Sequence, residues 1–352
     1  MENKKNGELV VYVGTYTQSP EEGIYVYRLA LSSGALTYQS QVSGMVNPSF
    51  LAIDPTARYL YAVREVPEED DPAVIAFSID PTTKNLTYLN EQSSHGGSPA
   101  HLTVDQSGKF VFVANYGGGN VAVLPTSDNG QLGKATDVVE HQVASLSPHP
   151  HSTTLDERNR FAFVPDLGLD KIMIYEFDLA QGSLAPNGHV QLQAGAGPRH
   201  FTFHPNGRHA VVINENDSTI TAFAYDDDSG TLTQLQTIST LPHDFSGTSY
   251  CADIHISPSG KFLYGSNRGH DSIVIFAIEK NTERLTYVGH EPTKGQYPRN
   301  FAIDPTGSYL LAANQHSNTV VTFRINQQTG ELNYMNTTKI PRPVCLQMLT
   351  QT

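Results

Sequence analysis

Phe301-Ala302-Ile303-Asp304-Pro305-Thr306-Gly307, running on through Ser308 into Tyr309-Leu310-Leu311-Ala312-Ala313-Asn314, reads as a short apolar strand, a tight turn and a second apolar strand. Asp-Pro-x-Gly is turn chemistry, because Asp bonds its own backbone, Pro fixes φ and Gly tolerates the left-handed conformation. The same phrase stands at Leu51-Ala52-Ile53-Asp54-Pro55-Thr56, followed by Tyr59-Leu60-Tyr61-Ala62-Val63. It returns around Asp105, Asp156, His204 and Ser257, at spacings of 51, 51, 48, 53 and 47 residues. A period of roughly fifty residues marks a repeat architecture.

Each unit continues in the same way. A polar loop leads to a third strand such as Ile273-Val274-Ile275-Phe276-Ala277-Ile278. A polar hairpin such as Gln327-Gln328-Thr329-Gly330 then leads to a fourth strand beginning Leu-Thr or Leu-Asn. Four short antiparallel strands per repeat, with no 3.6-residue periodicity between them, make a propeller blade and exclude the helical solenoids. The chain begins on a second-strand sequence, Leu9-Val10-Val11-Tyr12-Val13-Gly14, and ends on an unmatched first strand, Pro343-Val344-Cys345-Leu346-Gln347-Met348-Leu349. Six full units and one blade shared between the ends predict an all-β, seven-bladed propeller forming a single domain over residues 1–352. Closing the ring in this way protects the sheet edges of an open repeat. Residues 1–7 are expected to be a disordered tail.

Composition agrees. Hydrophobic residues are 38% and charged residues only 16%, with 17 Tyr, 15 Phe, no Trp, 28 Gly and 21 Pro. That is a supply of strands and turns rather than of surface helices. The net charge of −13, with no basic run beyond Lys4-Lys5, argues against nucleic acid as a partner. No apolar stretch is long enough to span a membrane, and Met1–Asn6 has no apolar signal region, which predicts a cytoplasmic protein. Cys251 and Cys345 sit in apolar strands and read as buried free thiols.

Superposing the repeats separates what the architecture needs from what it does not. The slot after the first-strand proline holds Ser49, Ala100, His151, Arg199, Ala252, Arg299 and Val344. The next holds Phe50, His101, Ser152, His200, Asp253, Asn300 and Cys345. The end of the second strand holds Arg64, Asn115, Asp166, Asn214, Asn267 and Asn314, followed by Glu65, Tyr116, Leu167, Glu215, Arg268 and Gln315. The Asn column reads as caps, since Asn bonds its own turn. His151, Arg199, Glu215 and Arg268 break the pattern on consecutive blades four to six. The start of the first strand and the end of the second lie together at one end of an antiparallel blade, and seven such ends converge on one channel mouth, so the four should face one quadrant of it. Each has a bland reading too: a strand-start His is often merely hydrogen-bonded, and Glu215 with Arg268 could be an ordinary inter-blade ion pair.

Other signals fall away. Asp226-Asp227-Asp228-Ser229-Gly230 lacks the spaced ligands of a calcium loop and reads as a hairpin turn. The 14 histidines include no HExxH or Cys/His spacing, even at Pro148-His149-Pro150-His151. Tyr116-Gly117-Gly118-Gly119-Asn120 has no helix N-terminus to receive a phosphate, and no Gly-x-Ser-x-Gly elbow occurs.

Gly197-Pro198-Arg199-His200, Asn214-Glu215, Ser266-Asn267-Arg268-Gly269-His270-Asp271-Ser272 and Pro298-Arg299-Asn300-Phe301 resemble the propeller lactonase family. That family includes bacterial 6-phosphogluconolactonases and the fungal carboxy-cis,cis-muconate cyclase. The resemblance spans nearly the whole chain and implies a seven-bladed propeller with no cofactor and no metal. It implies a catalytic set of His151, Arg199, Glu215 and Arg268, with His149 two residues from the first. His200, Asp253, Asn267 and Arg299 are the expected substrate contacts. The implied substrate is a small anionic sugar lactone. Glu215 or His151 would activate water, Arg199 would meet the oxyanion, and Arg268 with Arg299 would hold phosphate. A muconate-type cycloisomerase, a non-catalytic ligand-binding propeller, and a calcium-dependent lactonase using Asp253 and Asp166 are the competing expectations. The acidic loop Glu65-Val66-Pro67-Glu68-Glu69-Asp70-Asp71-Pro72 is expected to be a solvated excursion, or a rim to the pocket or to an interface.

Overall fold

In the computed structural model, residues 7–142, 145–280, 282 and 284–350 are described. They form seven four-stranded antiparallel sheets. Residues 1–6 of the expected tail lie outside the described residues; Gly7 is tied in, its carbonyl accepting the Leu31 N–H at 3.1 Å.

The recurring Asp explains itself in the turns. Asp54 accepts the backbone N–H groups of Thr56, Arg58 and Tyr59 at 2.9, 2.7 and 2.6 Å. Asp105 and Asp304 bond their own turns in the same way. The Gly of the phrase sits at φ +70, +68, +71 and +67° at Gly108, Gly207, Gly260 and Gly307, the left-handed region that a side chain disfavours.

Blade one is the shared one. The final strand Pro343–Thr350 pairs with Glu8–Thr15, which pairs with Gly23–Ala30 and then Leu36–Ser43. Gly14 faces Cys345 in this closure, and a Cβ there would stand 2.4 Å from the Pro48 carbonyl oxygen. Only a residue without a side chain lets blades one and two approach so closely. Apolar faces of neighbouring blades supply the core, as where Phe163, Phe201, Phe203 and Tyr225 interlock between blades four and five. Both cysteines are buried and free, as expected.

Two blades depart from the repeat. In blade three the fourth strand is Asp137–Glu140 rather than a Leu-Thr strand; Leu132 still reaches the core, but on a loop bridged from Thr126. In blade four the first strand shrinks to Thr154–Leu155, although Pro150 still bridges Asp166 and the His151 N–H still donates to the Pro165 carbonyl at 3.0 Å. As expected, the described residues show no α-helix; among them the helical turn is Glu68–Asp70, in the acidic loop.

Candidate active site

The first-strand slots converge on the axis, since Ser49, Ala100, Arg199, Arg299 and Val344, from five different blades, line one water-sized cavity together with Phe50, Glu65, His200 and Asn300. Above them the second-strand ends form a rim. In blade one the Asn slot is Thr15, paired with Pro343 as Asn214 is with Pro198, so the rim residue is Tyr16. Sequence comparison missed Tyr16 because blade one has no turn Asp before its second strand from which to count.

Glu215 is the centre of the cationic quadrant. Its Oε2 accepts from Arg199 Nε at 2.9 Å and from Arg268 Nη2 at 2.8 Å. Burial works against the Glu215 charge, but Arg199, Arg268 and Arg299 outweigh it and hold the carboxyl below its ordinary value. Its Oε1 takes no bond from any described residue. Arg199 is 2% exposed; its Nη1 also donates to His200 Nε2 at 3.0 Å and to the Ala252 carbonyl at 2.5 Å. Burial and then the charges of Arg299 and Arg268 push Arg199 down to about 9 against the pull of Glu215 and Asp253, so it is cationic at neutral pH. Arg268 is spent within the protein, on Glu215, the Cys251 carbonyl at 2.7 Å and the face of Tyr297 at 5.1 Å.

Arg299 differs. It lies over the Tyr16 ring at 5.4 Å and makes no hydrogen bond or ion pair with any described residue. Burial opposes its charge, but Tyr16, Glu65 and Glu215 raise its pKa. Glu65, at the start of the acidic loop, accepts the Tyr16 hydroxyl at 2.9 Å and the Ser49 hydroxyl and so belongs to the mouth, whereas Pro67–Asp71 of that loop are exposed.

His151, rather than His149, occupies the inner slot. His149 stacks on Tyr116 at 4.5 Å and bonds the Tyr116 carbonyl. The His151 ring packs edge-on against Tyr116 and His200, and its Nδ1 is buried without a partner. Burial, then Arg199, His200 and Arg299, drop its pKa well below the ordinary 6.5, which keeps it neutral.

Three expected substrate contacts are turned inward. Asn267 bonds both the hydroxyl and the carbonyl of Thr240, at 2.8 and 2.9 Å, so it is spent on the segment leading into its blade rather than on its own turn. His200 and Asp253, 6% and 3% exposed, bond each other at 2.8 Å. Asp253 Oδ2 also receives His255 at 3.0 Å, Asn300 at 2.5 Å and the Phe301 N–H at 3.2 Å. Asp166 is likewise filled, by His141 and the N–H groups of His149, Gly168 and Leu169. Neither carboxylate offers the open oxygens a calcium ion requires. Among the described residues, the cluster with three ligand atoms in mutual reach is Asp226, Asp227 and Asp228. There Asp226 caps its own hairpin turn through the Asp228 N–H at 3.0 Å.

Guanidiniums, a carboxylate and a neutral imidazole thus share one mouth of a seven-bladed propeller. The chain belongs to the family described as "Lactonase, 7-bladed beta-propeller", which matches residues 10–348. It is 34% identical to a 6-phosphogluconolactonase of Bacillus subtilis (82% of this chain, 83% of that one) and 38% identical to one of Formosa agariphila (82% and 84%). The solved Pseudomonas aeruginosa periplasmic gluconolactonase superposes with a TM-score of 0.92 at 30% identity, covering 98% of this chain and 100% of that one. Among the described residues no helix is long and apolar enough to cross a membrane.

Proposed function

We propose that the chain hydrolyses a sugar δ-lactone carrying a phosphate, 6-phospho-D-glucono-1,5-lactone or a close relative, without a metal and in the cytoplasm. Its relatives' names support the lactone. The observation that carries the phosphate is Arg299, a guanidinium at the mouth with none of its donors spent on a described residue. Such a fork suits a phosphate, binding it through paired charge-assisted hydrogen bonds. Arg268, the other expected phosphate ligand, is committed to Glu215 and is better suited to fixing that carboxylate.

In this reading Glu215 Oε1 holds the attacking water and takes its proton as the oxygen adds to the lactone carbonyl carbon. Arg199, through its Nη2, meets the oxyanion as it forms, in a setting from which bulk water is largely excluded. Collapse of the tetrahedral intermediate breaks the bond between the carbonyl carbon and the ring oxygen. His151 relays the proton taken by Glu215 to that oxygen, which leaves as a hydroxyl, and the new carboxylic acid gives its remaining proton to water to become the open carboxylate. A depressed Glu215 is a weak base, which an ester as reactive as a δ-lactone tolerates.

The test is a coupled assay that follows release of the phosphorylated acid from freshly made lactone, with unphosphorylated gluconolactone and a carboxymuconate as comparators and EDTA in a parallel arm. Turnover of the phosphorylated lactone, undiminished by EDTA, is expected. Turnover of the muconate alone would replace this reading with the cycloisomerase, and no turnover of any would favour a binding module.

A further inference from the structure

His200 is constrained from both sides. Its Nδ1 lies 2.8 Å from Asp253 Oδ1, an ionised carboxylate oxygen that only accepts. Its Nε2 lies 3.0 Å from Arg199 Nη1, which only donates. Both contacts are satisfied by one species, the neutral ring with the proton on Nδ1. We infer that Asp253 sets the His200 tautomer so that Nε2 can accept from Arg199, making Asp253 and His200 positioning residues for the arginine that meets the oxyanion. Neither need touch the substrate.

The rest of the Asp253 environment makes this specific. Three donors, from His255, Asn300 and the Phe301 N–H, converge on Oδ2, against two on Oδ1, from His200 and the Ile254 N–H at 2.9 Å. In Asp253→Asn the new NH2 is therefore driven to the Oδ1 side, where it gives up the Ile254 bond and donates to His200 Nδ1. The ring proton then moves to Nε2 and points at a guanidinium N–H across 3.0 Å. Arg199 has to retreat from that contact, and its Nε bond to Glu215 goes out of line. The wrong-tautomer logic is that of an Asp-to-Asn change behind a catalytic histidine, applied here to an arginine.

The inference rests on the proposed role of Arg199. Asp253→Asn should lower kcat on the phosphorylated lactone about 10- to 100-fold, the scale of a misplaced oxyanion donor, with KM changing less than about 3-fold. His200→Gln places an amide oxygen near the Nε2 position and should keep kcat within about 5-fold. In that background no tautomer remains to be set, so adding Asp253→Asn should cost less than about 2-fold. An undiminished Asp253→Asn effect in the His200→Gln background would make Asp253 a merely structural residue and overturn the inference. Long-range 1H–15N spectra of the wild-type protein should show His200 protonated on Nδ1, and protonation on Nε2 would refute it even if Asp253→Asn failed to fold. Full turnover by Arg199→Ala would instead sink the catalytic reading while the spectra still reported on the tautomer.

Discussion

Glu215→Gln is the most informative single change, because one oxygen holds two buried guanidiniums. Arg199 Nε and Arg268 Nη2 approach Oε2 to 2.9 and 2.8 Å, and the two arginines are 2% and 3% exposed. At an effective dielectric near 20, each pair of charges about 4 Å apart interacts by about 4 kcal/mol. The desolvation cost of the carboxylate returns part of this, and an amide oxygen keeps one acceptor. What remains is the cost of leaving buried cations uncompensated, about 3–5 kcal/mol. Urea unfolding in a chloride buffer should show this loss. Sulfate should restore part of it by occupying the vacated anion position; at 100 times its Kd the gain is about 2.7 kcal/mol. The wild-type protein, with Glu215 already in place, should gain less. Activity should fall about 10²- to 10⁴-fold, the scale of a lost general base. A variant within about 1 kcal/mol of wild type, gaining no more from sulfate than wild type does, would show that the two guanidiniums do not depend on this carboxylate.

Arg299→Ala should reduce kcat/KM on the phosphorylated lactone about 10- to 100-fold, equivalent to the 1.5–3 kcal/mol of a charged hydrogen bond. Activity on the unphosphorylated lactone should be nearly unchanged; equal losses on both would place Arg299 in the chemistry instead. After correction for spontaneous opening, kcat/KM should be flat between about pH 5.5 and 8, since Glu215 is depressed below 4.5 and His151 well below 6.5. A limb near pH 6.5 would contradict this environment for His151. Burial leaves His101 and His151 neutral and pushes His200 down to about 4. The unfolded chain therefore binds protons first, so stability is full above about pH 6.5 and is lost below it, by about 1.4 kcal/mol per histidine per pH unit. His255, raised by Asp253 despite its burial, contributes its opposite effect above that window. Urea unfolding at pH 7.5 and 5.5 should show the loss, and His101→Gln should shrink it. Gly14→Ala should destabilise by about 1–3 kcal/mol or more through overpacking at the ring closure, read by the same unfolding curve; an unchanged midpoint would mean the two blades can separate there.

The repeat was legible because its turns are local. Asp54, Asp105 and Asp304 bond N–H groups within five residues of themselves, so the sequence pattern and the hydrogen-bond pattern coincide. The charged quadrant was legible for the same reason, as positions where a regular column is broken. What sequence could not supply was direction. His200 and Asp253 stand in a slot next to the mouth, yet their polar atoms point between blades to partners about fifty residues away. Arg268 and Arg299 look alike as residues, and only the three-dimensional list of acceptors separates the committed one from the free one. Tyr16 was hidden because the blade that carries it is assembled from both ends of the chain.

That shared blade also sets the order of events during synthesis. The strand Pro343–Thr350 lies on the channel side of a blade whose other three strands lie within residues 8–43. Until the ribosome has released the last of these residues, Glu8–Thr15 presents an unpaired edge, and Tyr16 at its end has no Val344 slot beside it. The mouth therefore cannot exist on a nascent chain, however many blades have already formed. Closure of the ring, and with it the mouth, arrives with this one strand rather than accumulating blade by blade.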